Sequence, residues 1–208
     1  MRAEKTDTNI RQEQIAEAAL KLVASDGMKG LSVAKIARHV GVVPSALYRH
    51  YKNKDAVLNA VLDLIQNRLM SNIQSVQHET NDPLKQLYKL LMKHIKLIRE
   101  NQGIARIAFS EDVYSGHQGR KKQIYAIISG YLGRIEEIVS EGQKSGAIRK
   151  ELDPKSIALI FFGLVQPSAV LWHLSDGEFD ITKEARKNWA IIEKAIKGSV
   201  HNKTTKSD

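Results

Sequence analysis

Apolar residues recur at helical spacing through almost the whole chain, and no segment alternates apolar and polar residues for long enough to suggest a sheet. Ile15, Ala19, Leu22 and Val23 make the stripe of a first helix that should stop at Gly27, a residue suited to a left-handed cap. A second, short helix follows Ser32, with Val33, Ile36, Ala37 and Val40 on one side and Gly41 closing it. Val43 and Pro44 open a third that runs to about Tyr51, with Pro44 in the first turn, where its missing N–H is harmless. Asn53 is a good N-cap for a long fourth helix through Leu58, Leu62, Ile65 and Leu69.

Asp82-Pro83 and Asp153-Pro154 each set a capping carboxylate before a first-turn proline, and so mark two further starts. The helix after Pro83 carries Leu84, Leu87, Leu91 and Ile98 and ends near Gly103; a short helix or turn follows through Ile107, Phe109 and Val113. The next shows Ile124, Ile128, Tyr131, Ile135 and Ile138, with Gly146 able to end it, and the last carries Ala185, Trp189, Ile192 and Ile196. The expectation is an all-α chain of about nine helices: an N-terminal three-helix unit, residues 1–54, and a larger helical domain, residues 55–200. The end of the chain lacks an apolar face, so residues 201–208 are expected to be a disordered tail.

With 208 residues, 42% of them hydrophobic, the chain can bury a sizeable core. Its 32 Lys and Arg against 23 Asp and Glu, a formal net charge of +9, favour acidic partners, nucleic acid first among them. The lack of cysteine excludes disulfides, thiolate metal sites and cysteine nucleophiles. The opening MRAEKTDTNIRQEQ has no apolar stretch of a secretory signal, which fits a cytoplasmic protein. Ser156 to Ser175 carries no formal charge, but Gln166, Pro167 and His173 interrupt it, so it is read as buried against protein, in a domain centre or at a subunit interface, and no membrane is expected. No two histidines stand three or four apart, and there is no Gly-rich phosphate loop or nucleophile elbow. Neither an enzyme, a cofactor nor a metal site is expected.

The short helices carry the functional reading. Two of them joined by a tight glycine-containing turn form a helix-turn-helix, whose second helix enters a major groove. At 100° per residue Leu47 and Tyr51 share a side with Pro44, while Ser45, Ala46, Arg49 and His50 fall on the other and Tyr48 on the flank. From Gly27 through Lys54 there is no acidic residue, whereas Lys29, Lys35, Arg38, Arg49, Lys52 and Lys54 are cationic, so a phosphate backbone meets no repulsion.

The segment LSVAKIARHVGVVPSALYRHYKNKDAVL, Leu31 to Leu58, closely resembles the DNA-binding signature of the TetR/AcrR family of bacterial transcriptional regulators. The likeness includes Ile36-Ala37, Gly41-Val42, Leu47-Tyr48, His50, the aromatic Tyr51, and Lys54 before Asp55. Ile15 to Gly27 looks like that family's first helix, and GAIRKELDP, Gly146 to Pro154, is similar to a recurring joint between its last pocket helix and first dimer helix. The resemblance implies that Pro44, Ser45, Ala46, Tyr48 and Arg49 face bases while His50, Lys54 and Ser32 hold phosphates. Arg49 can give two donors to guanine O6 and N7. Val43 departs from the family's frequent Ser or Thr cap, and Ala34 from a base-reading arginine of some members.

The implied protein is a homodimeric repressor on a palindromic, double-stranded operator, released by a small-molecule effector in the larger domain. Effector-pocket candidates are Tyr88, Met92, His94, Phe109, Tyr125, Tyr131, Phe162 and Gln166, which mix apolar bulk with polar handles. Dimer-interface candidates are Leu159, Phe161, Val170, Trp189, Ile192 and Ile196. The alternative is a helical small-molecule binding protein whose helix-turn-helix no longer functions.

Overall fold

The structure, a computed structural model, describes residues 2–108, 110 and 118–198. The described residues form nine helices: α1 (Arg2–Gly30), α2 (Val33–Val40), α3 (Pro44–Tyr48), α4 (Lys54–Glu79), α5 (Pro83–Glu100), α6 (Gly103–Ala108), α7 (Gln118–Lys144), α8 (Pro154–Leu174) and α9 (Ile181–Ile196). Among them the β pairing is a single isolated antiparallel bridge, Ile148 to Lys197. Two compact units result, one from residues 1–71 and 96–129, the other from 72–95 and 130–208. The expected tail, residues 201–208, lies outside the described residues.

In the first unit the predicted stripes meet. Ile15, Ala19, Val23, Ile36, Leu47, Val57 and Val61 are fully inaccessible to solvent, each large aliphatic side chain contributing about 1.5–3 kcal/mol by leaving water. Gly27 has φ +69 and ψ 178 and breaks the helical path of α1 where the sequence places its stop. Ser32 Oγ accepts from Lys35 N–H at 3.2 Å to cap α2, and Asn53 Oδ1 accepts from Ala56 N–H at 2.9 Å at the start of α4. At Gly103 the backbone of α6 lies so close to α1 that a Cβ would stand 2.3 Å from the Leu20 carbonyl oxygen. Arg68 donates to Asn101 Oδ1 at 2.8 Å and to the Glu17 carboxylate, joining α4 to α1 and to the turn between α5 and α6. Arg120, at the start of α7, is buried and donates to Asp55 in the first turn of α4.

In the second unit Leu87, Leu90, Leu91, Ile95, Ile135, Val139, Val165 and Ala185 are completely buried. Asp82 Oδ1 caps α5 by accepting from Leu84 N–H at 3.0 Å. Asp153 Oδ2 accepts from the Ser156 hydroxyl and N–H at 2.8 and 2.9 Å, and these bonds hold its carboxyl below the usual carboxylate range. The end of α9 is fastened by Gly198 N–H to Ala147 O at 2.8 Å and Arg149 N–H to Ile196 O at 2.9 Å.

By length and composition α8 is the one described helix apolar enough to cross a membrane. Its surface is divided, however. Ile157, Ala158, Phe161, Val165 and Ala169 are buried, while Leu159, Ile160, Leu171 and Leu174 are 61, 50, 59 and 74% exposed. Of the dimer-interface candidates, Phe161, Trp189 and Ile196 are buried within the protomer's own unit, where they fill its core. Val170 and Ile192 are half-buried, and Leu159 alone of that set is fully outward.

Candidate nucleic-acid interface

The candidate interface is set by how little of α3 the core takes. Leu47 is fully buried and Tyr51 is half-buried, its phenol donating to the Gln12 carbonyl at 3.2 Å. Burial, and then the Asp63 carboxylate, push the Tyr51 pKa up, so the donor stays protonated. Gly41, at φ +76, turns the chain between α2 and α3, with Val42 N–H bonded to Ala37 O at 2.9 Å. Val43 stands before α3 with no side-chain cap, and Pro44 occupies the first turn, as expected for a helix begun by fixed geometry.

The remainder points to solvent. Pro44, Ser45, Tyr48 and Arg49 are exposed, and Ala46 and His50 are half-buried. Arg49 and His50 lie just past α3, which is shorter than the predicted 44–51 and ends at Tyr48. His50 N–H and Tyr51 N–H both bond to Leu47 O, at 2.9 and 3.0 Å, so the turn that holds them is itself fixed. Among the cations, Arg38, Arg49 and Lys52 are exposed, while Lys35 is paired with Asp26 at 2.6 Å.

Two of the phosphate candidates also have structural duties. The Ser32 hydroxyl caps α2. Lys54 Nζ donates to the Met28 carbonyl near the end of α1 at 2.8 Å, leaving two of its three donors for anything else. Thus Lys54 is also a strut between α4 and α1.

Residues 15–61 match the signature of the bacterial regulatory proteins of the tetR family, and residues 64–195 match that of the YsiA-like protein C-terminal region. The chain belongs to the tetR family of bacterial regulatory proteins. Membership makes it a ligand-responsive transcriptional regulator. It is similar to the fatty acid metabolism regulator protein of Bacillus subtilis (strain 168), 27% identical over 91% of this chain and 95% of that protein. Among solved structures it is similar in fold to the fatty acid degradation regulator FadR of Bacillus halodurans, with TM-score 0.76 and 24% identity over 88% of this chain and 94% of that one. The regulator FadR from Bacillus subtilis in complex with stearoyl-CoA gives TM-score 0.73 and 23% identity over 86% of this chain and 96% of that one.

In this TetR-family chain the effector-pocket candidates separate into distinct environments. His94, Tyr131 and Phe162 come together, with ring centroids 5.3, 6.2 and 6.4 Å apart, and His94 Nδ1 lies 3.2 Å from Tyr131 Oη. Desolvation lowers the His94 pKa to about 4 and pushes Tyr131 well above its ordinary value, so both are neutral and the phenol can donate to the imidazole. Met92 and Gln166 are half-buried. Tyr88 instead packs against Trp189 at 6.1 Å, in an open groove of about 530 Å³ with Pro83, Leu84, Ala147 and Lys197. Tyr125 is 74% exposed in the first unit, so it lines no buried pocket there, and Phe109 lies outside the described residues. No group of three or more His, Cys, Asp or Glu residues capable of holding a metal occurs among the described residues.

The residues that sequence reasoning passed over are Ile160, Leu171, Leu174 and Ile191, exposed and apolar on α8 and α9. On a helical wheel Ile160, Leu171 and Leu174 occupy a different arc from the buried Ile157, Phe161 and Val165, but a helix apolar all round carries no signal of which arc is inward. No local signal marks Arg120, whose partner is 65 residues away.

Proposed function

We propose that the protein is a transcriptional repressor that binds a palindromic operator as a homodimer and leaves it when a fatty acyl compound, of the acyl-CoA class, occupies the larger domain. Residues 1–54 carry DNA recognition and residues 55–200 carry effector binding and dimerisation. The observation that supports this most is the exposed surface of α3, where Pro44, Ser45, Tyr48 and Arg49 stand clear of the core. Small side chains allow close approach to base edges, and Arg49 supplies the bidentate donor that guanine accepts. His50 and Lys54 hold the backbone beside them. A repressor of this kind works in the cytoplasm.

The effector class is supported by the stearoyl-CoA of the FadR complex and by the buried apolar side chains that α5, α7 and α8 supply, among them Leu91, Ile95, Ile135 and Phe161. His94 and Tyr131 are the polar pair an acyl effector would meet. Since both are buried, the acyl chain enters by displacing part of that cluster, a shift of population between closed and open forms. The outward residues Leu159, Ile160, Leu171 and Leu174 of α8, with Ile191 of α9, supply the dimer face.

Binding of the protein to its own upstream DNA, measured at two salt concentrations with and without a long-chain acyl-CoA, tests the reading. A preferred site, steep salt dependence and release by the acyl-CoA are expected. No binding at low salt would favour the helical binding protein instead. In sedimentation velocity, Leu171→Glu with Leu174→Glu should convert a dimer to a monomer.

A further inference from the structure

Val43 is 63% exposed, although a branched aliphatic side chain contributes to stability only when buried. Leu47, fully buried, already anchors α3, and Val43 provides no capping bond. Its backbone is extended, φ −76 and ψ 148, and its β-branch restricts χ1, so the isopropyl group is a stiff projection ahead of the recognition helix. Nearby in sequence Ala34 and Pro44 are also exposed and uncharged, while Arg38, Arg49 and Lys52 supply the cations. The segment therefore combines charge suited to phosphates with an apolar element that phosphates cannot use.

The major groove offers a match. Its base edges present hydrogen-bond donors and acceptors, and the thymine C5-methyl is the apolar group used in direct readout. We propose that Val43 is a specificity-determining residue that packs its isopropyl group on a thymine methyl in each half-site. This rests on the operator-binding reading above and adds a base preference to it. Val43 selects T·A by apolar contact, where Arg49 selects guanine by hydrogen bonds. Val43 precedes the first turn of α3 and Arg49 follows its last, so the two contacts fall at opposite ends of the short helix.

The test removes the methyl from the DNA, which leaves the protein untouched. Wild-type protein first selects its site from a random pool. The conserved thymine of that site is then replaced by deoxyuridine in both half-sites, and binding is followed by fluorescence anisotropy for wild type and Val43→Ala. Loss of one methyl contact should weaken wild type about fourfold per half-site. Val43→Ala should bind the thymine site correspondingly less well and should not distinguish thymine from uracil. Equal sensitivity of wild type and Val43→Ala to uracil overturns the inference, as does a wild-type site with no preferred thymine. In either case a selected site with its guanine leaves the operator-binding reading standing. Selection of no site at all removes both.

Discussion

Arg120 Nη2 donates to Asp55 Oδ1 across 2.7 Å, with the arginine side chain 3% exposed and the aspartate 52%. Nε of the same guanidinium has no hydrogen-bond partner among the described residues. This asymmetry makes the two ends of the ion pair unequal. Asp55→Ala leaves a buried cation stripped of a carboxylate, whereas Arg120→Met leaves a carboxylate that water can reach. The first should cost about 3 kcal/mol and the second about 1 kcal/mol or less, read as shifts of the urea midpoint. Equal losses would show that the guanidinium is not held chiefly by Asp55.

Val43→Thr should stabilise the free protein while lowering operator preference. The extended backbone at residue 43 is that of an N-cap, and the valine leaves the first N–H groups of α3 without a side-chain acceptor. A threonine hydroxyl supplies one, worth about 1 kcal/mol. Calorimetry should show a higher Tm, and one below wild type would mean the hydroxyl cannot reach its donor.

Arg49→Ala and Lys54→Ala should differ in kind. Arg49 is exposed, so its loss relaxes selection at one guanine per half-site, by about 1–3 kcal/mol, at unchanged Tm. Lys54 bonds the Met28 carbonyl, so its loss should lower Tm and weaken all DNA sequences alike, with a shallower salt slope. An unchanged Tm for Lys54→Ala would set aside its bond to α1.

The His94 and Tyr131 pair should make stability fall with acidity. Burial depresses the His94 pKa from 6.5 to about 4, so above the higher value both folded and unfolded chains hold it neutral and stability is full. As pH falls between these values the unfolded chain takes up a proton that the folded chain refuses, and stability is lost. The difference amounts to roughly 3 kcal/mol below the lower value. Replacing both residues with phenylalanine should remove this component, and denaturant titrations at pH 7 and 4 compare the two proteins. The same loss in both would assign the acid sensitivity to other groups.

Helix starts were legible because they are local. Ser32, Asn53, Asp82 and Asp153 each cap the helix that follows them, Gly41 takes the left-handed backbone expected of it, and Gly27 breaks α1 with a positive φ but an extended ψ of 178. The α3 surface followed from the same logic, since about 200° on the wheel separates Leu47, inward, from Arg49, outward. Side-chain partners across long sequence separations were not legible. Lys54 and Met28, or Tyr88 and Trp189, meet only after packing has brought their helices together. For α8 the difficulty was physical as well. A helix apolar on every side has no contrast to tell its core face from its outer one, so Phe161 could not be separated from Leu159 by composition.

The close approach at Gly103 has a mechanical meaning. Where side chains lie between helices, their rotamers act as padding that absorbs small displacements, but between α6 and the Leu20 carbonyl there is room for no side chain at all. A movement of α6 toward α1 therefore meets hard contact at once, and the two helices answer to a push together, like gear teeth with no play between them.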